Sequence, residues 1–136
     1  DNREGDENAL PRSNPTIANM TIAGNAAERG ILLRRGTGAD IYNSVLSGSA
    51  VCMEVAGESV ALLGTDINLA SVSLGCETAS GGVDPELQNY LDGAPNVTQD
   101  GSIPPSSSLP NNGFFEQSTV IGADLDSWKG AWVFGL

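Results

Sequence analysis

The stretch Asn19-Met20-Thr21-Ile22-Ala23-Gly24 returns 24 residues on as Asn43-Ser44-Val45-Leu46-Ser47-Gly48. Both copies run Asn, two residues, an aliphatic, a small residue and Gly, which reads as a short strand closed by a turn. A recurrence of about this length spans one coil of a parallel β-helix, in which each coil lays its strand on the equivalent strand of its neighbour. Short β-leaning runs at 17–23, 30–34, 40–46, 50–55, 59–63 and 67–74 alternate with Gly, Asn and Ser turns. They are too short for helices and too closely spaced for crossover helices. An all-β solenoid of about three coils is therefore expected over 17–80.

Alternation puts Ile31 and Leu33 on one face of their strand, with Leu32 and Arg34 on the other. Residues 50–57 read as the next coil's version of that strand, which would set Arg34 or Arg35 beside Glu54. Cys52 and Cys76 are also 24 residues apart. Equivalent positions on neighbouring coils lie ~4.8 Å apart, within the Cα range that a disulfide bridges. A Cys52–Cys76 disulfide and an oxidising compartment are expected. Asn19 and Asn43 are expected to form an amide ladder at the turn. That is preferred to a sugar-acceptor role, although Asn19-Met20-Thr21 and Asn96-Val97-Thr98 fit the N-glycosylation pattern.

Outside the coils the texture differs. Residues 1–16 are polar and broken by Pro11 and Pro15, and read as an extended acidic arm. Within 81–113, Asp84 as N-cap and Pro85 at the first helical position mark a short helical turn. A Pro, Ser, Asn and Gly-rich loop over 94–113 follows, long enough to be functional or a linker. Residues 114–136 hold five of the seven aromatics, namely Phe114, Phe115, Trp128, Trp132 and Phe134. They are expected to cap one end of the stack, since terminal coils must be covered.

Seventeen acidic against six basic residues give a net charge of −11 with no His. That balance repels phosphate backbones, so nucleic-acid binding is not expected. The missing imidazole removes the Ser/His/Asp and Cys/His nucleophile systems and leaves two Cys as a poor zinc site. No run of about 18 apolar residues is present to span a membrane. Two weak groups of hard oxygen ligands, Asp1 with Asp6 and Asp124 with Asp126, are the candidates for calcium. Otherwise no cofactor is expected. Polysaccharide-cleaving β-helices set carboxylates, sometimes with Arg, on one exposed strand face. Here Glu54, Glu58, Asp66 and Glu77 show no paired spacing on consecutive coils, and Arg34, Glu54 and Asp66 are the candidate carbohydrate contacts.

The run Pro11-Arg12-Ser13-Asn14-Pro15-Thr16 into the first repeat, then Gly30 to Gly48 and the Cys-bearing coil, resembles a group of bacterial secreted or cell-envelope proteins. Gly113-Phe114-Phe115-Glu116 through Ile121-Gly122-Ala123 to Trp128-Lys129-Gly130-Ala131-Trp132 resembles the same group's carboxyl-terminal element. Members are large right-handed parallel β-helix proteins, often described as lipoproteins. The resemblance covers nearly the whole chain and implies the C-terminal part of such a protein, secreted, periplasmic or at the outer membrane. The opening at Asp1, without Met or apolar leader, fits a piece of a longer chain. A capped stack of few coils would leave its other end open to the remaining N-terminal coils or to another polypeptide.

A non-enzymatic envelope or extracellular scaffold is the expected function. A carbohydrate-binding or polysaccharide-cleaving β-helix with its site mainly in absent coils comes next, and an accessory subunit of a larger membrane complex third. If the chain handles carbohydrate, changing Glu54 or Asp66 should abolish glycan binding or turnover. A scaffold should show no effect in the same assay.

Overall fold

The computed structural model describes residues 2–26, 28–82 and 85–123. Its strands are β1 (Thr16–Ala18), β2 (Thr21–Ala23), β3 (Arg29–Leu33), β4 (Ala39–Ser47), β5 (Val51–Val55), β6 (Ile67–Gly75), β7 (Thr78–Gly81) and β8 (Val97–Thr98). A 3-10 helix covers Gly57–Leu62, and an α-helix, α1, covers Glu86–Gly93. The chain passes back and forth between two sheets. One holds β1 and β2 beside β4, then β6 and β8; the other runs β3-β5-β7, and all pairings are parallel.

The opening repeat is a register relation. Thr21, Ile22 and Ala23 pair with Val45, Leu46 and Ser47, so Ile22 and Leu46 stack, and Leu46 stacks on Leu74 in turn. A second column runs Ile17, Ile41, Leu69. Ile41, Leu46, Leu69 and Leu74 are each at most 3% exposed, and this spine contributes most of the hydrophobic stabilisation of the first sheet. Ile31 pairs with Met53, and Leu33 with Val55, across the core.

The repeat length is not constant. Asp40 faces Asn68, a step of 28 residues, because the chain from Gly57 to Leu62 winds into the 3-10 helix. The run at 59–63, expected as a strand, is mostly that helix. Ser59 and Leu62 are its buried residues, three positions apart, which suits a helix of three residues per turn. In the second sheet Leu32 faces Glu54, a step of 22. Arg34 and Arg35 therefore lie beyond Glu54's register; Arg29 makes the ion pair with Glu54 instead, at 3.1 Å.

The Cys52–Cys76 disulfide is present, with a Cα separation of 5.3 Å. Its ends are not equivalent positions, however. Cys52 lies within β5, whereas Cys76 sits in the turn between β6 and β7, and Val51 and Met53 pair with Thr78 and Ser80. The bond ties the second sheet to the turn leaving the first.

Residues 2–15 are not a free arm. Asn2 N–H donates to Arg35 O, an Arg12 guanidinium N–H to Gly36 O, and Gly38 N–H to Ser13 O. Arg12 and Asp66 add an ion pair at 3.6 Å. The segment thus packs on the turn between β3 and β4. At the other end of the stack, α1 buries Leu87 and Leu91 to 1% exposure. Tyr90 Oη accepts from Leu69 N–H at 2.9 Å, and burial pushes this phenol's pKa up. Gln88 bonds Ser80, Asp92 and Gln99, fixing the helix to both sheets.

Of the expected aromatic cap, Phe114 is 81% exposed and meets Phe115 edge to face at 5.0 Å. Trp128, Trp132 and Phe134 lie outside the described residues, as does the expected N-cap Asp84. Opening the disulfide frees a loop of sequence separation 24, worth about 3 kcal/mol in loop entropy. Cys76→Ser should lower the urea midpoint accordingly, with native circular dichroism retained below the transition.

Candidate functional site

The first sheet carries a column of backbone strain. Asn19, Asn43, Ser71 and Asn96 adopt φ of 54, 47, 58 and 55°. They follow the register of the sheet, one residue ahead of the Met20–Ser44–Val72–Val97 line. Asn tolerates this left-handed state better than most side chains, and Ser has a short side chain that can bond locally. Each strand bends there, so Asn43 and Ser44 are both buried and the alternation changes phase.

The column is where the long loop attaches. Asn43 Nδ2 donates to Ser107 O at 2.9 Å, and Ser107 N–H donates to Asn43 Oδ1 at 2.8 Å. Ser71 Oγ and Ser107 Oγ lie 2.6 Å apart. Further on, Gly122 N–H donates to Asn43 O and Ala123 N–H to Thr21 Oγ1. The expected amide ladder is therefore not made: Asn43 bonds the loop at both ends of its amide, and Asn19 Oδ1 is buried without a partner. Sequence reading took 94–113 as a separate loop; β8 and Ser107 bind it to the sheet. The only signal was Asn96-Val97-Thr98, which repeats the Asn-then-β pattern of the coils.

Beside the column lies an open cleft of about 360 Å³ lined by Ser106, Ser107, Ser108, Gln117, Ser118 and Thr119. Gln117 holds its wall in place, donating from Nε2 to Leu109 O and accepting Leu109 N–H on Oε1, both at 2.9 Å. Hydroxyls and amides make this lining a set of neutral donors and acceptors, suited to hydrogen bonding rather than to proton transfer.

The charged candidates do not converge. Glu54 lies on β5 against Arg29, and Asp66 lies in the turn before β6 against Arg12. Arg34 is exposed at the end of β3. Asp40 is bonded by Asn68 Nδ2 at 2.8 Å. Of the calcium candidates, Asp6 is exposed, and its backbone N–H closes a turn on Arg3 O. Neighbouring Glu7 accepts Gly5 N–H, which lowers its carboxyl pKa. Asp1, Asp124 and Asp126 lie outside the described residues. Among the described residues no three His, Cys, Asp or Glu side chains gather where they could hold a metal ion, and no helix is long and apolar enough to cross a membrane.

The family described as "Pectate-lyase like beta helix domain" matches residues 1–133, and the chain belongs to it. No curated protein and no solved structure shows significant similarity to the chain.

Asn43→Gly keeps the left-handed bend but removes the amide. Hydrogen exchange and proteolysis within 103–110 should rise at least tenfold in this variant. Asn43→Leu should in addition lower the unfolding midpoint, since a γ-branched side chain adds about 1–2 kcal/mol of strain in that state.

Proposed function

We propose that this member of the pectate-lyase-like β-helix family is a non-catalytic scaffold, the end portion of a right-handed stack of about three coils that docks on further coils or on another polypeptide. The observation that carries the proposal is the free edge of the stack. Among the described residues no strand pairs on the outer side of β1, β2 or β3. The inner columns stop there with Ile17, Ile22 and Ile31 only partly covered. Edge strands ending an apolar stack are a template for another chain.

The use of the charged groups supports the same role. Glu54, Asp66 and Glu4 each face an Arg, and such pairs at the surface add little stability but help fix register and partner choice. The disulfide and the strongly acidic composition suit a secreted, periplasmic or outer-membrane-associated setting. No cofactor has a part in it, and the aromatic tail serves as a cap. A carbohydrate-binding role is the second reading, favoured by the hydroxyl-lined cleft at Ser106 to Thr119, whose neutral donors and acceptors match sugar hydroxyls.

Two measurements separate these roles. The native protein, isolated without denaturant, should show by intact mass a polypeptide longer than 136 residues or a second one held to it, and Ile22→Lys should release the held one. A lone, monomeric 136-residue chain would count against the scaffold. Millimolar binding of neutral oligosaccharides, lost in Gln117→Ala, would instead favour the cleft.

A further inference from the structure

We infer that the open edge is built to receive a parallel β-coil whose own left-handed bend presents a side-chain amide to Asn19. This rests on the scaffold function and specifies its partner. Three features of the edge act together. First, β1 and β2 in one sheet and β3 in the other end the stack at the same coil, so the occupant must supply strands to both sheets. A single added strand would satisfy one sheet only. Second, the bend column Asn19, Asn43, Ser71, Asn96 has its last member at this edge. A straight strand laid against the bend between β1 and β2 would break the ladder there, so the occupant has to bend at the same place. Third, Asn19 Oδ1 is buried and unpartnered, whereas the amide of Asn43, one coil further in, is bonded at both ends.

A buried acceptor without a partner carries a desolvation cost of about 1–3 kcal/mol. Water reaches such an atom poorly, and a donor in line with the column meets it directly. Asn meets both needs of the bend, since it tolerates positive φ and carries an NH₂. Apolar residues would flank it, above Ile17 and Ile22 in one sheet and Ile31 in the other.

The chain contains a surrogate for this coil. Ala39–Val55 spans β4 and β5, and β4 pairs on both of its edges. A synthetic peptide of 39–55 with Cys52→Ser can thus be offered to the intact protein, alongside the same peptide with Asn43→Gly. Hydrogen exchange of the amides in 16–23 and 29–33 reports docking. The expected result is protection by both peptides, with the Asn peptide binding about tenfold tighter. That advantage should vanish in protein carrying Asn19→Gly, which keeps the bend and removes the acceptor. Asn19→Asp, a second probe, should keep the preference, because its carboxylate still accepts.

Equal protection by the two peptides overturns the amide inference and leaves edge docking standing. Protection by neither overturns both. Slow exchange at 16–23 and 29–33 in the free protein would mean that its own residues already cover the edge, and overturns the inference as well.

Discussion

Four bends at matching register hold the first sheet together. At Asn19, Asn43, Ser71 and Asn96 the backbone takes a positive φ that costs an ordinary side chain about 1–2 kcal/mol. Because β4 is hydrogen-bonded along both edges, it cannot bend alone; β1 with β2 on one side and β6 on the other must bend with it or lose their ladder bonds. The strain is therefore a collective property of the stack. Its effect is to reset side-chain alternation halfway along each strand, so that Ile41 and Leu46, an odd number of residues apart, both reach the core. A straight strand would send one of them to solvent.

That constraint explains why the fold was legible from one repeat and the details were not. Asn19 to Gly24 and Asn43 to Gly48 pair residue for residue, so the spacing translated directly into parallel register. The remaining steps differ in length because turns absorb residues without disturbing the columns. The 3-10 helix at Gly57–Leu62 lengthens one step, and sequence carried no strong mark of it beyond Ser59 and Leu62 at a three-residue spacing. The disulfide shows the same limit from the opposite side. Its spacing equals the repeat, yet Cys76 lies in a turn; the expectation held because any two points on adjacent coils are close, not because these two are equivalent.

The charged groups were harder to place. Assigning Arg34 to Glu54 required the second sheet to share the step of the first, and it does not. An error of two residues leaves a side chain on the same face but moves it along the strand past its neighbour, which is enough to exchange Arg34 for Arg29. The loop over 94–113 was illegible for a different reason. Its attachment runs through Ser107, one serine among several, and only the bend at Asn43 selects it. Composition describes such a segment as a linker; hydrogen bonding makes it a wall of the sheet.

The two ends of the stack are built on opposite principles. At one, Leu87 and Leu91 of α1 fill the core, Tyr90 Oη accepts the Leu69 N–H that the short β8 does not reach, and Gln88 binds the helix to β7. At the other, β1, β2 and β3 keep their outer edges free and Asn19 keeps an unbonded oxygen. A helix stops growth because its backbone polar groups are satisfied internally, leaving nothing for a further strand to bond. The stack therefore has a direction: it can be extended only past Asn19. An asymmetric unit of this kind cannot form a symmetric pair through its closed end, so association has to use the edge where bends, apolar columns and an unfilled acceptor coincide.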